Sequence, residues 1–468
     1  MSSNIANLKD YTYEMQQDDG VNAVPRSMNP ARIARPVQCS KQIKNISAIS
    51  GSTATSGQLS LIQLPFGAGS GFMKPGSAYL RFRYQGTQAA EGSHGFKGSV
   101  PSAQALIQRL TVSQNSNIEL INEYGRLMTN VVYPLMTSAD YMNNIAIQEG
   151  GIGSNALVSF PYATGATQSQ DGYLNSQDAR YTFAQTTPGI TTAIELSVSL
   201  ASGLLNNKEL SMIPLELMSS PLTIQVDWCS VNNAIYGITQ ATTEFTCSNV
   251  QLCYESINPP QQYINELRAG LASGKVFSIP YTTVISAQTS NASTVSYNMS
   301  LTSSSVESFF YGALQTFNLN NSTLTSGWFS CATGASDNSD RTTMNRRLYA
   351  DGSLVAQQPS INSDTLLFRE LMRAVQGGFC GTDVYNTVPF SNRGANTKQP
   401  GSFRSSFYAG GFNLKNFNEA NLTMEGIPVS ILNFQKDDYS GADGILYMYA
   451  FVSQIALIDA SGSISIVR

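Results

Sequence analysis

The chain has 468 residues, 42% of them hydrophobic and only 12% charged, with a net charge of −4 and a single histidine, His94. A charged share about half the usual one and one histidine withhold the side chains that most often carry acid–base and metal chemistry, and an acidic balance excludes a dedicated nucleic-acid binder. No apolar run approaches the ~18 residues of a membrane-spanning helix, so the composition points to an uncharged, strand-rich structural protein.

Residues 1–55 read as an N-terminal arm: polar, broken by Pro25, Pro30 and Pro36, and without a sustained period. The first twenty residues lack the apolar stretch of a secretory signal, so the chain is expected to act where it is made or to leave by lysis. Between residues 21 and 50 stand Arg26, Arg32, Arg35, Lys41 and Lys44 with no acidic residue, which makes these five the candidate inward contacts of the arm. Contact with protein is favoured over anionic lipid or DNA, because the charge density is below that of packaging arms.

Strand signals begin with Gln58–Leu64 and with Ser77–Tyr84, where apolar and basic residues alternate. Ala105–Val112 and Ile118–Ile121 predict two strands joined by the polar turn Ser113–Asn117. Glu123–Ile147, richer in Leu, Met and Ala, is the expected helical insertion, and 148–185 reads as a long loop. Strands return at Thr192–Leu200, Leu222–Trp228 and Glu244–Glu255. After Pro259-Pro260, Gln261–Ala272 predicts a helix with Pro260 in a first-turn position and Gly274 just past its end. The β pattern resumes at Val276–Ile285, Val295–Leu301 and Val306–Phe317. A second polar loop spans 319–362 and contains the turn Asp351-Gly352. A helix is expected over Ser363–Gln376, capped by Ser363 and stopped by Gly377-Gly378, followed by strands at Phe403–Phe412, Leu422–Phe434 and Leu446–Ile458. The two halves share this layout without sharing letters. The expectation is an all-β protein of two consecutive eight-stranded jelly-roll β-barrels with short helical insertions. The division is arm 1–55, first jelly roll 56–258, linker helix 259–275 and second jelly roll 276–468.

Three segments carry a resemblance: Ala105–Tyr124 leading into the helix-rich insertion, Ile213–Asp227, and Leu446–Val452 followed by Ile458–Gly462. In layout and in these passages the chain resembles the double jelly-roll major capsid proteins shared by tectivirus-like phages, adenovirus hexons, virophages and large DNA viruses. The resemblance implies a structural subunit of the virion that forms pseudo-hexagonal homotrimers, which tile an icosahedral shell around a DNA genome. It implies as partners the chain itself, neighbouring trimers, penton and minor capsid proteins, and an internal membrane or the genome through the arm. It also makes the loops 148–185 and 319–362 candidates for the outer surface or trimer contacts. A receptor- or carbohydrate-binding β-sandwich virion protein is the alternative. A glycan hydrolase would need two carboxylates about 5–10 Å apart and more than the two tryptophans, Trp228 and Trp328, present here.

No catalytic, cofactor or metal site is expected. Gly270–Val276 has three residues between its glycines and no Ser/Thr after Lys275, so it is a helix end and not a phosphate loop. Gly67–Gly71 lacks the serine of a nucleophile elbow and reads as a turn. Asp337–Asp340 lacks the glycine and glutamate of a calcium loop, Asp18-Asp19 and Asp437-Asp438 read as solvated charges, and His94 sits in a presumptive glycine-rich turn. The six cysteines (Cys39, Cys229, Cys247, Cys253, Cys331, Cys380) form no CxxC pair and read as buried small hydrophobes.

Overall fold

Alternation decides where the strands lie. In Tyr79–Tyr84 the inward residues Leu80, Phe82 and Tyr84 are buried, as are Ile224, Val226 and Trp228, and Leu196 and Val198. The computed structural model describes residues 39–88, 92–98, 102–137, 148–150, 183–185, 189–190, 193–207, 211–237, 242–314, 345–355, 364–375, 409–415, 426–437 and 444–467. The first half provides β1 (Ser40–Ser47), β2 (Leu59–Gln63), β3 (Tyr79–Gln88), β4 (Ile107–Gln114), β5 (Ser116–Asn122), β6 (Ile194–Ser199), β7 (Thr223–Trp228) and β8 (Thr242–Asn258). They pair antiparallel in the orders β1-β8-β3-β6 and β2-β7-β4-β5. Eight strands wound in that order across two sheets are a jelly roll. Phe82 of one sheet meets Trp228 of the other edge-on, centroids 5.2 Å apart, which closes the core between the layers.

α1 (Gln261–Ala272) then crosses to the second half, burying Ile264 and Leu271 against Phe72 and Leu217. It is followed by β9 (Phe277–Ser290), β10 (Thr294–Leu314), β11 (Asn345–Ala350), α2 (Asp364–Val375), β12 (Gly410–Asn413), β13 (Ile427–Asp437), β14 (Ile445–Ile458) and β15 (Ile464–Val467). Here one long strand serves both layers. Residues 294–300 and 304–306 of β10 pair with β13, and residues 305–314 pair with β14. Thr302, held at φ 53, lies in the shift of register with β13 between Ser300 and Ser304. The orders are β9-β14-β10-β12 on one side and β10-β13-β11 with Ser353–Leu354 on the other, so the winding of the first half is repeated. Tyr311 and Phe434, with centroids 4.6 Å apart, and Phe310 and Phe451, 5.2 Å apart, fill the interior.

The double jelly roll is thus present, but as open sheets; neither half closes into a barrel. Several expected elements change character. Ser40–Ser47, read as arm, is β1 and is hydrogen-bonded to β8 along its whole length. Of residues 295–301 and 306–317, read as two strands, those from 295 to 314 belong to one, because the intervening Thr302–Ser305 run contains no Gly or Pro to break it, and 315–317 lie outside the described residues. Within the presumed loop 319–362, Asn345–Ala350 and Ser353–Leu354 form a hairpin. Asp351 (φ 46) and Gly352 (φ 83) both take the left-handed conformation that a two-residue hairpin turn requires. His94 lies on the short strand Gly92–Phe96, paired with Ile235–Gly237 and Phe183–Gln185, and not in a turn. The expected helical insertion forms over Tyr124–Leu127, Met128–Val132 and Tyr133–Met136. Its remainder to 147, most of 148–185, and the cap and stop at Ser363 and Gly377-Gly378 lie outside the described residues. Cys229, Cys247 and Cys253 are buried and Cys39 is exposed. Burial pushes the Cys229 thiol up to about 12, so it behaves as a small hydrophobe. Among the described residues no helix is long and apolar enough to cross a membrane.

Candidate functional site: the junction of the two sandwiches and a free strand edge

Buried polar contacts join the two lobes, and the first of them centres on a glycine loop. Gly67, Gly69 and Gly71 all have φ between 71° and 86°, and this turns successive N–H groups of the loop inward as an anion cradle. The occupant is internal. Glu216, 3% exposed, accepts from Gly69 N–H (2.6 Å) and Gly71 N–H (3.3 Å). Arg268 on α1 reaches the same carboxylate at 3.3 Å, so one side chain ties the glycine loop of the first sandwich to the linker helix. From the same segment, Ser219 N–H donates to the Gly462 carbonyl at 3.2 Å. Gln114, on β4, donates to Gly462 O (3.0 Å) and accepts from Ile464 N–H (2.7 Å), which fastens the first sandwich to β15.

The second contact is a seam between β5 and β9. The Tyr281 hydroxyl donates to the Ile118 carbonyl across it at 3.1 Å. Beside it the buried carboxylate of Glu119 accepts from the Ser202 hydroxyl, from Gly203 N–H (2.8 Å) and from Leu204 N–H (3.4 Å). Burial pushes that carboxyl above its ordinary range, while these donors oppose the rise. Gly203 is a necessity of packing: a Cβ there would stand 1.7 Å from the backbone oxygen of Thr282. Arg126 lies over the Tyr447 ring, 4.8 Å from its centroid, and adds a cation–π contact between the halves.

A third polar cluster is buried within the first sandwich. Glu149 accepts from Ser102 Oγ (2.6 Å), Tyr133 Oη (2.8 Å), Gln104 Nε2 (3.2 Å) and Ser199 N–H (3.2 Å). Burial raises its carboxyl to about 7 in spite of those bonds. A pKa raised on folding means that the folded chain holds a proton the unfolded chain has lost. Stability therefore falls as pH rises from the ordinary carboxylate range through about 7, by about 3 kcal/mol in all. Lys97 acts in the opposite sense: burial and Arg126 lower it to about 7, so its contribution grows as pH rises above that value. The Glu149→Gln variant isolates the first effect. Its thermal midpoint is expected to exceed that of the parent at pH 8 and to match it near pH 5. An equal offset at both values would refute the assignment. Gln104 Oε1, buried in the same cluster without a hydrogen-bond partner, is an acceptor for the new amide.

Of the five arm cations, the structure places two. Lys41 projects from β1 to Glu255 (3.3 Å), a carboxylate that Lys74 also meets at 2.7 Å and that these ammonium groups hold below its usual range. The Lys44 ammonium donates to the Ser70 carbonyl at 2.8 Å, and burial lowers its pKa. Arg26, Arg32 and Arg35 lie outside the described residues, as do most of the loop 148–185 and the parts of 319–362 outside 345–355. Among the described residues, the outer edge of β1 carries no further strand. Over the face formed by β1, β8 and the start of β3 is a hollow of about 330 Å³ lined by Lys41, Gln42, Ile43, Ser77, Tyr79, Tyr254 and Glu255. Glu216 and Gly203 were not singled out from sequence. The spaced glycines at 67, 69 and 71 were a signal for the cradle, but nothing local marked which carboxylate fills it. Among the described residues, no group of three or more His, Cys, Asp or Glu side chains could hold a metal ion.

No family model and no curated protein matches the sequence. Solved structures match its shape. Against PBCV-1 VP54, as fitted into a reconstruction of the virophage Sputnik, the TM-score is 0.56 at 10% identity, covering 96% of this chain and 99% of the other. Against the Sputnik virophage structure it is 0.55 at 12% identity, covering 96% and 93%. Against the mavirus major capsid protein it is 0.53 at 10% identity, covering 96% and 95%. At such identities the likeness is one of fold, and it runs almost end to end: the chain has the double jelly-roll architecture found in these viral structures.

Proposed function

We propose that this chain is a major capsid protein, a non-enzymatic subunit whose homotrimers tile an icosahedral shell around a DNA genome. One observation carries the reading: two sandwiches of identical winding are joined side by side in a single chain, so that three copies present six similar lobes around a threefold axis. The end-to-end likeness of fold to virophage and PBCV-1 structures supports it, as does a surface low in charge, which limits repulsion between many identical copies. In this reading the first lobe runs from β1, at Ser40, to residue 258 and so takes in the end of the expected arm 1–55, 276–468 is the second lobe, 259–275 the linker, and the residues before Ser40 are the arm. Arg26, Arg32 and Arg35, with Lys41 and Lys44 at its root, give the arm its contacts with neighbouring trimers, minor or penton proteins, membrane or genome. The place of action is the virion.

Light scattering on the purified full-length chain, followed by negative-stain imaging, tests this. Trimeric particles with pseudo-hexagonal outlines, or shells, are expected. A monomer at high concentration would overturn the proposal.

A further inference from the structure

The seam between the lobes joins unlike sides. The first lobe brings β5, the last strand of one sheet, and the turn that follows β6, the last strand of the other, through Ile118, Glu119 and Gly203. The second lobe brings β9, the first strand of its own sheet, through Tyr281 and Thr282. A last-to-first joint uses one side of each lobe and leaves the opposite sides over. These are β1 on the first lobe and, on the second, Ser353–Leu354 with β12. Among the described residues, neither β1 nor Ser353–Leu354 pairs with a strand on its outer edge. An open edge of this kind is a template for another chain.

The sides left over match the joined ones in register. Pairing of β8 with β3 starts at Cys253 opposite Tyr79, and pairing of β14 with β10 starts at Ser453 opposite Ser305. One residue further along, Tyr254 faces Lys44 of β1, and Gln454 faces Tyr281 of β9. Lys44 therefore stands in the first lobe where Tyr281, the donor across the seam, stands in the second. On the other side, the β4–β5 hairpin and the β11 hairpin both turn through a left-handed residue, Asn115 (φ 58) and Asp351 (φ 46). The strand after the first turn is buried in the seam at Ile118, 4% exposed. The strand after the second leaves Leu354 37% exposed, and on β1 Ile43, next to Lys44, is 72% exposed. We propose that the joint within the chain is repeated between copies, β1 of one chain seating against the Ser353–Leu354 edge of the next. This rests on the capsid-subunit reading, which sets the number of copies at three. A head-to-tail contact closes into a ring when its rotation divides a full turn, and here each chain fills two of six places. Contact of β1 with β1 would set Lys41 and Lys44 against their own copies, and like charges directly opposite are destabilising.

Site-directed photo-cross-linking of the full-length chain tests this. Leu354 is replaced by the photoreactive benzoylphenylalanine, the assembled protein is irradiated, and denaturing electrophoresis separates linked chains before mass spectrometry identifies the joined peptides. Bands of two and three chains are expected, with position 354 joined to the peptide that contains Ser40–Ser47. The same group placed at Ile43 should label Ser353–Leu354 in return. Ile43→Lys, at an exposed position, should abolish the link and the trimer together while the circular dichroism stays that of the parent. Links from 354 to 354 would show a contact of like sides, and links confined to the single-chain band would show one within the chain. Either result overturns the proposal. Trimers without a link between 354 and β1 overturn the repeated joint and leave the capsid reading standing; a parent chain that stays monomeric removes both.

Discussion

Glu216→Ala is expected to destabilise the chain by about 1–3 kcal/mol, the cost of leaving a buried hydrogen-bonding group unsatisfied. The carboxylate fills a cradle of Gly69 and Gly71 N–H groups and holds Arg268 of the linker helix. Alanine would leave the buried Gly71 N–H facing a void, and a buried unsatisfied donor costs about 1–3 kcal/mol, whereas the exposed Gly69 can turn to water. Arg268, at 44% side-chain exposure, can turn to solvent, so the larger part of the loss lies in the loop and not in the cation. Glu216→Gln keeps one acceptor oxygen and should recover part of the loss. Denaturant unfolding of the three proteins decides the matter: a Glu216→Ala midpoint equal to the parent's would mean that the cradle contributes nothing.

Gly203→Ala is expected to act by a different route and at similar scale. Its added Cβ would overlap a backbone oxygen of the other sandwich, that of Thr282, at 1.7 Å. A backbone atom cannot rotate away as a side chain can, so the seam must open. Overpacking of this kind costs about 3 kcal/mol or more when nothing can yield. Because the seam joins the lobes, the thermal midpoint should fall, and, if the proposed capsid role holds, trimer formation measured by light scattering should fall with it. Gly270→Ala on α1 is the control. Its Cβ would meet only Lys275 Cδ at 3.9 Å, and alanine in a helix is favoured over glycine by about 1 kcal/mol, so that variant should be unharmed or slightly stabilised. If both variants behave alike, the close approach at Gly203 has no energetic weight.

The strands were legible where a half-buried face leaves a period of two, as in Ser77–Tyr84 and Leu222–Trp228. α1 was legible to the residue because Pro260 and Gly274 bracket it. What could not be read were contacts between distant segments. Glu216 looks like any acidic residue until the loop at 67–71 is folded against it, 145 residues away in the chain. Ser40–Ser47 has no strict alternation, with Ile43 exposed and Lys44 half-buried, since an edge strand has only one neighbour to satisfy. The continuity of β10 was concealed for the opposite reason: its middle, Thr302–Ser305, is polar and reads as a loop, yet polar residues free of Gly and Pro can carry the strand across a register shift.

That continuous strand has a mechanical consequence. In the first lobe the strand of one layer hands over to the other through separate turns, so the layers could in principle slide past one another. In the second lobe β10 is stitched to β13 at one end and to β14 at the other, without a break in the backbone. A shearing load applied to either face is carried directly along covalent bonds into the opposite face. The second lobe should therefore behave as the stiffer strut of the pair, and a shell built from such subunits would flex at its first lobes and bear pressure on its second.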